Sequence, residues 1–356
     1  MKLKRIEKMK PYKIVSHEVW QNTISRQDIL KLDWNESDVN IFPELMALLL
    51  SEIDINNSHL YPPAINFKLQ NLLADYAGVS NSNITSTNGS DHGLELIVRS
   101  YINPEDKVVI ISPTYDNFRI YAESASDNVQ LYFPENIFST DIKNINTAVS
   151  DAKMVYLCNP NNPTGWLYSE LEIEQLLSNN NNTIFIIDEA YYEFSKLTVK
   201  GLINKYSNLY ITRTFSKAFA LASFRIGYII SDPRNIEYIN KIKNHKSLPY
   251  FAMYAAIHAL SNIGKVNCHI EEVKKGEALL VDYFSKKGIK YFTTPGNFIN
   301  IKLDRAIEFI LKMKNQNIYV RSLAHLKGCE NMVRITLGEP KTIIKLIAVI
   351  ELCYEG

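Results

Sequence analysis

The sequence has no large charge excess, no long apolar run and few cysteines. Its 356 residues carry 39 Lys and Arg against 38 Asp and Glu, a formal net charge of +1, so nothing suggests a nucleic acid or an anionic membrane as partner. No apolar run approaches the roughly 20 residues of a membrane helix. The four cysteines have no metal-ligand spacing, which predicts free thiols and no metal site. The basic N-terminus lacks an apolar core, so we expect no secretory signal and a cytoplasmic location.

Short β-branched runs alternate with amphipathic segments between residues 84 and 231. This alternation predicts an α/β fold with a mostly parallel seven-stranded sheet flanked by helices. Residues 108–111 and 184–187 are almost continuously apolar, as strands buried on both faces are. The predicted strands span residues 84–87, 107–112, 128–133, 154–158, 183–188, 209–213 and 227–230.

The pattern changes after residue 233. A long helical stretch at 250–287, two strands at 298–303 and 332–337 with a helix at 305–314 between them, and a final helix at 342–354 predict a smaller α+β domain. We therefore predict an N-terminal segment (1–39) that packs with the small domain, a large domain (40–240) and a small C-terminal domain (241–356).

Polar clusters follow five of the predicted strands, where ligands bind in sheets of this kind. They are Asn88-Gly-Ser-Asp, Pro113-Thr-Tyr, Asn159-Pro-Asn-Asn-Pro-Thr-Gly, Asp188 and Ser216-Lys217. The first precedes an apolar helix, whose free N–H groups could bind a phosphate; a plain helix cap is the simpler interpretation of that cluster alone.

Lys217 is the most informative of these residues. An isolated lysine is usually solvated, but this one has Ser216 before it and Arg225 after it in a segment of small residues. An amine there can form an imine with a carbonyl while the serine and the arginine hold a phosphate. Pyridoxal phosphate brings both groups.

Other residues have a functional and a structural interpretation. Asp188 could pair with a protonated pyridine nitrogen, or could cap a helix. Asn162 and Tyr191 could donate hydrogen bonds to a phenolic oxygen, although the asparagine also lies in a common type of turn. Tyr115 could stack on the pyridine ring, or could be a core aromatic.

Taken together, these motifs resemble the fold-type-I pyridoxal-phosphate aminotransferases, and most closely the histidinol-phosphate aminotransferase group. The resemblance covers nearly the whole chain, from residue 11 to residue 334, and it includes the motif Arg334-Ile-Thr-Leu-Gly. It implies that Lys217 carries a proton between substrate and cofactor, with Asp188, Tyr115 and Tyr191 also catalytic. The implied cofactor ligands are Ser90, Asp91, Tyr115, Asn162, Asp188, Tyr191, Ser216, Lys217, Arg225 and Tyr61.

The resemblance further implies a homodimer with shared sites, because the tyrosine that Tyr61 resembles reaches the phosphate in the neighbouring subunit. The implied substrate-binding residues are Tyr12, Asn35, Arg321 and Arg334, with the last holding the carboxylate of an amino-acid donor. Ala220 and Ser223 replace usual glycines, His92 replaces an acidic residue, and Ser37-Asp38 replaces Asn/Ser-Pro. These departures affect the expected substrate more than cofactor binding.

The predicted activity is amino transfer between glutamate or 2-oxoglutarate and a small, phosphorylated amine or keto compound, with histidinol phosphate as the default. One alternative is a decarboxylase of a phosphorylated amino acid, of the threonine- or serine-phosphate type, on the same scaffold. The other is a non-catalytic ligand sensor, against which the intact Lys217 argues.

Overall fold

The computed structural model describes residues 3–11, 19, 29–52, 59–139 and 141–354. The strands are β1 (Leu30–Leu32), β2 (Ile84–Thr87), β3 (Lys107–Ile111), β4 (Asn128–Tyr132), β5 (Met154–Cys158), β6 (Ile184–Asp188), β7 (Leu209–Thr214), β8 (Gly227–Ser231), β9 (Lys290–Phe292), β10 (Phe298–Lys302), β11 (Ile318–Ser322) and β12 (Met332–Thr336).

The α-helices are α1 (Lys4–Lys8), α2 (Leu45–Glu52), α3 (Phe67–Ala77), α4 (Gly89–Tyr101), α5 (Asn117–Ala125), α6 (Ile142–Val149), α7 (Glu170–Asn179), α8 (Tyr192–Ser195), α9 (Pro233–Asn240), α10 (Tyr250–Ser261), α11 (Ile263–Lys287), α12 (Ala306–Asn315) and α13 (Pro340–Tyr354). None of those among the described residues is long and apolar enough to cross a bilayer.

The larger sheet has seven strands in the order β2-β8-β7-β6-β5-β3-β4. Only β8 runs against its neighbours β2 and β7; the other pairs are parallel. The predicted α/β fold with a mostly parallel seven-stranded sheet is therefore confirmed, with each predicted strand within about one residue of its observed ends. The carboxyl ends of the central strands β5, β6 and β7 lie side by side, so the residues after them meet at one edge of the sheet.

The second sheet has the order β1-β11-β12-β10-β9. Its strand β1, from the N-terminal segment, pairs in parallel with β11, while the other pairs are antiparallel. Three of its strands, β1, β9 and β11, were not predicted because they are short or carry polar residues on both faces. The helical stretch predicted at 250–287 is two helices that meet at Asn262, whose φ of −123° ends the first one.

Buried side chains form separate cores around the two sheets. The core on one face of the larger sheet extends from Phe42 through α10 to Ile270, and the core of the smaller sheet extends from Leu32 to Cys353. The three-part division of the chain stays a prediction. The pairing of β1 with β11 favours its N-terminal part, whereas the packing of α10 favours a boundary later than residue 241, within α11.

Candidate active site

Lys217 follows β7 and reaches into the space between the two sheets. Its ammonium nitrogen donates a hydrogen bond to the carbonyl oxygen of Trp34 at 2.9 Å and lies 6.0 Å from the ring centroid of Tyr191. Burial lowers the pKa of Lys217 to about 8, and the positive charge of Arg334 acts in the same direction. An amine in this state is a far better base and nucleophile near neutrality than a solvated lysine.

Asp188 ends β6, and its carboxylate is almost fully buried. The hydroxyl of Tyr156 donates to Oδ2 at 2.9 Å and that of Thr212 donates to Oδ1 at 3.0 Å. Burial nevertheless raises the pKa of Asp188 to about 6, because two neutral donors do not replace the lost water. Within the described ranges no lysine or arginine forms an ion pair with it, so the carboxylate is poised for a cation.

A buried ion pair lies on the opposite side of the sheet from Asp188. Arg213 follows Thr212 on β7, and its Nε donates to Glu189 Oε2 at 2.9 Å. Both side chains are at most 1% exposed. Since alternate residues of a strand face opposite sides, β6 and β7 present the pair Asp188 and Thr212 on one side and the pair Glu189 and Arg213 on the other.

Tyr191 is buried against the site, and its hydroxyl accepts a hydrogen bond from Asn35 Nδ2 at 2.9 Å. Burial raises the pKa of Tyr191, so the phenol keeps its proton and can donate it in a hydrogen bond. Asn35 itself has a left-handed backbone, with φ of 54°. Its N–H donates to Thr336 Oγ1 at 3.0 Å, which fixes this strained residue to the second sheet.

The N-terminus of α4 lies beside the strand β8. Its cap residue Asn88 makes no side-chain capping bond. A Cβ on Gly89 would come within 2.7 Å of Arg225 Nη2, and one on Gly227 within 2.4 Å of the backbone nitrogen of Ser90. These two glycines therefore permit a close approach that leaves N–H groups of the first turn near a guanidinium. Such a concave, positive site suits an anion.

Arg225 connects this helix end to the segment that carries Lys217. Its Nη1 donates to Ser216 Oγ at 3.3 Å, and its Nη2 pairs with Asp91 Oδ2 at 3.1 Å. The other oxygen of Asp91 accepts from Tyr115 Oη at 3.0 Å and from Asn117. The Asp91 carboxylate is thus already engaged, and this residue could give an anion only its backbone N–H.

Arg334, on β12, bridges the two halves of the site. Its Nη1 donates to Asn162 Oδ1 and its Nη2 to the carbonyl oxygen of Asp33 at 2.6 Å. Because its oxygen accepts from the arginine, the Asn162 side chain keeps its NH₂ group for another acceptor. Asn300, the Cα partner of Arg334 on β10, donates to the carbonyl oxygen of Pro163 at 2.8 Å and secures the same turn.

Arg321 on β11 lies directly opposite Arg334 in the antiparallel register. Opposed residues of such a pair project from the same face of the sheet, so two guanidinium groups face the same side. Arg321 is half-buried, and within the described ranges its guanidinium has no hydrogen-bond or ion-pair partner. The pair forms a second positive region, on the small-sheet side of Lys217, suited to a carboxylate or phosphate.

The predicted residues fall into three groups. Twelve of the fourteen lie around this space, with the contacts or register given above: Ser90, Asp91, Tyr115, Asn162, Asp188, Tyr191, Ser216, Lys217, Arg225, Asn35, Arg321 and Arg334. Tyr61 is instead 79% exposed, with its ring centroid 4.3 Å from the Lys246 ammonium. Tyr12 lies outside the described residues.

Sequence reasoning missed Tyr156, Thr212, Thr336 and the carbonyl oxygens of Asp33 and Trp34. The first two could have been found from strand register, because Thr212 is the Cα partner of Asp188 and Tyr156 lies two residues before its other partner, Cys158. The carbonyl contacts have no sequence signal, since every residue carries this group.

The chain is similar to known proteins of one enzyme family. Residues 27–350 match the family described as aminotransferase class I and II. The chain is 38% identical over 344 residues to a dihydroxyacetone phosphate transaminase of Campylobacter jejuni, covering 94% of this chain and 92% of that protein. It is 31% identical over 323 residues to a histidinol-phosphate aminotransferase of Buchnera aphidicola, covering 88% and 89%.

Among solved structures, a histidinol-phosphate aminotransferase of Sinorhizobium meliloti in complex with pyridoxal-5'-phosphate has the same fold. The TM-score is 0.87 at 23% identity, over 99% of this chain and 97% of that one. The chain belongs to the class I and II aminotransferases. It is an aminotransferase enzyme with the fold of type-I pyridoxal-phosphate proteins.

Proposed function

We propose that this aminotransferase exchanges an amino group between glutamate or 2-oxoglutarate and a small phosphorylated amine or carbonyl compound, with pyridoxal phosphate bound at Lys217. The substrates in the names of both relatives carry a phosphate. The observation that carries the proposal is the pair Arg321 and Arg334 on one face, near a buried amine. Two guanidinium groups can neutralise a carboxylate and a phosphate in turn.

The residues present fit the cofactor. Asp188 is a buried carboxylate whose pKa burial raises and which pairs with no cation within the described ranges; a protonated pyridine nitrogen would be such a partner. The α4 N-terminus with Ser216 and Arg225 fits the phosphate, through backbone N–H groups, a hydroxyl and a guanidinium. When bound, pyridoxal phosphate supplies the carbonyl that accepts the amino group and a ring that withdraws electrons from the reacting carbon.

The side chains of this chain then move protons and hold the reactants. Lys217, with its pKa lowered to about 8, would take the proton from the reacting carbon of the substrate and pass it to the cofactor carbon that receives the amino group; it would carry the proton back when the amino group leaves. Tyr191 and the NH₂ group of Asn162 would donate hydrogen bonds to the cofactor's phenolic oxygen. Tyr115, held by Asp91, would cover one face of the ring.

We further propose that the site is completed by a second copy of the chain. Tyr61 is exposed, and so are other large apolar side chains close to it in sequence, including Met46, Leu50, Leu60 and Phe67. Exposed apolar patches of this kind are common at subunit interfaces. A Tyr61 hydroxyl supplied by the partner to the phosphate would make the dimer necessary for full activity. The cytoplasmic location stays a prediction from the sequence.

Membership of the aminotransferase family favours amino transfer over the decarboxylation that the sequence left open. The test is to incubate the cofactor-loaded protein with glutamate and dihydroxyacetone phosphate, and with 2-oxoglutarate and histidinol phosphate, and to measure 2-oxoglutarate or glutamate formed. In a third incubation the substrate is a phosphorylated amino acid, and the release of carbon dioxide is measured. Amino transfer to or from a phosphorylated compound is expected; release of carbon dioxide without amino transfer would overturn the proposal.

Cofactor attachment is tested separately. Wild type treated with borohydride should keep a covalently bound chromophore on the peptide that contains Lys217, and Lys217→Ala should lose it on denaturation. A Lys217→Ala protein that still retains covalent cofactor would disprove the assignment of this residue.

A further inference from the structure

We propose that Trp34 is a specificity-determining residue, whose indole forms a fixed wall of the substrate site and favours short phosphorylated compounds over those with a bulky ring. This inference rests on the proposed function. It is carried by the position of Trp34 between two functional groups and by the contacts of its side chain.

The backbone places Trp34 at the reacting centre. Its carbonyl oxygen accepts the hydrogen bond of the Lys217 amine at 2.9 Å. The carbonyl oxygen of the preceding residue, Asp33, accepts from Arg334 at 2.6 Å, and the following residue, Asn35, donates to Tyr191 at 2.9 Å. A substrate that reaches both the lysine and the arginine must pass beside residue 34.

Among the side chains of residues 33, 34 and 35, only that of Trp34 is partly exposed. The side chains of Asp33 and Asn35 are fully buried, whereas Trp34 is half-buried. Within the described ranges its indole stacks on no other aromatic ring and its N–H has no hydrogen-bond partner. The indole of Trp34, whose carbonyl oxygen accepts from the reactive amine, thus has surface left that a substrate can contact.

Lys31 holds this indole in place. Its ammonium lies 3.7 Å from the centroid of the Trp34 ring, well within the range of a cation–π contact. The same ammonium pairs with Asp33 Oδ1 at 2.9 Å and with Glu36 Oε2 at 2.5 Å, so two carboxylates fix its position. Lys31 and Glu36 also act on the pKa of Lys217 in opposite directions, which places this cluster beside the reactive amine.

A wall fixed in this way discriminates by size. A compound with three carbons and a phosphate has no ring to place beside the indole. An imidazole-bearing compound has to compete with the indole for space, and such a contact typically changes selectivity by about 10- to 200-fold. The wild-type enzyme should therefore prefer dihydroxyacetone phosphate to histidinol phosphate.

The test compares Trp34→Ala with the conservative Trp34→Phe in the holoenzyme. We expect Trp34→Ala to raise the ratio of kcat/KM for histidinol phosphate to that for dihydroxyacetone phosphate by about tenfold or more, and Trp34→Phe to change it much less. Lys31→Met, which frees the indole, should give an intermediate ratio. Cofactor bound per subunit controls for folding of each variant.

A binding measurement supplements these rates. Phenyl phosphate should inhibit Trp34→Ala more strongly than wild type, while the inhibition constant of glycerol 3-phosphate stays within about twofold. A selectivity ratio unchanged in Trp34→Ala, in an enzyme that still transfers amino groups to phosphorylated compounds, would overturn this inference alone. A wild type that transfers amino groups to no phosphorylated compound would overturn the proposed function, and this inference with it.

Discussion

Replacing Asp188 with asparagine should stabilise the cofactor-free protein at neutral pH, although it removes a functional group. Burial raises the pKa of this carboxyl from its ordinary value of 3.8 to about 6. Each unit of pKa corresponds to about 1.4 kcal/mol, so the ionised carboxylate costs the folded state about 3 kcal/mol. Asparagine has nearly the same shape but carries no charge: its amide oxygen can accept from one of the Tyr156 and Thr212 hydroxyls, and its NH₂ group can donate to the other.

The sign of the pH dependence follows from linkage. A carboxyl whose pKa is higher in the folded than in the unfolded state binds its proton more tightly when the protein is folded. Its contribution to the free energy of unfolding is therefore most favourable below pH 4 and is lost as the pH rises through 6. The stability advantage of Asp188→Asn should thus be about 3 kcal/mol at pH 8 and nearly absent at pH 4. Pyridoxal phosphate should reverse the order if, as proposed, its ring nitrogen would pair with the wild-type carboxylate.

The assay is urea denaturation of the two stripped proteins at pH 8 and pH 4, followed by tryptophan fluorescence. Asp232→Asn is the matched control, since hydrogen bonding to Arg234 lowers the pKa of Asp232 and its replacement should give no gain at pH 8. A stripped Asp188→Asn protein no more stable than wild type at pH 8 would refute the view that this carboxylate lacks a cationic partner.

Three other experiments test other parts of the structure. Tyr61→Ala and Lys217→Ala should each be nearly inactive, and mixing them under subunit exchange should restore activity; continued inactivity of the mixture would contradict a shared site. Gly227→Ala places a Cβ within 2.4 Å of backbone in the first turn of α4. We expect it to lower the free energy of unfolding by about 1–3 kcal/mol, measured with urea, and to weaken cofactor binding, measured by spectroscopic titration. Unchanged cofactor binding would argue against the phosphate site. Glu189→Gln leaves the buried Arg213 guanidinium poorly paired and should lower the free energy of unfolding by about 3 kcal/mol, whereas a loss below 1 kcal/mol would show that other groups pair with Arg213.

The larger sheet was predictable from sequence because its strands are apolar on both faces and are bounded by polar turns. Residues 184–187 in β6 illustrate this, since all are apolar and all are buried. In the smaller sheet, β10 and β12 were predicted, whereas β1, β9 and β11 were not. Its strand β1 consists of Leu30, Lys31 and Leu32, a pattern too short to separate from a loop, and it becomes a strand only because β11 offers a parallel partner.

In the candidate site, residues that lie in contiguous motifs were predictable, whereas contacts between residues far apart in sequence were not. Lys217, Asp188 and Asn162 were identified because each lies in a motif contiguous in sequence. The hydrogen bond between Asn35 and Tyr191 joins residues 156 positions apart, and no local pattern encodes it. Motifs thus predicted which side chains take part, and the packing of two sheets decided which ones touch.

The contact between Asp33 and Arg334 also has a consequence for how the enzyme is made. The residues that one subunit is proposed to supply to its own cofactor phosphate lie between positions 88 and 225, whereas this contact joins residues 301 positions apart. Because chains fold progressively from the N-terminus during synthesis, the phosphate cradle can form on the ribosome while β12 has yet to be translated. We expect nascent chains that end before residue 330 to be able to capture cofactor without recognising a substrate. Selectivity would be the last property that the growing polypeptide acquires.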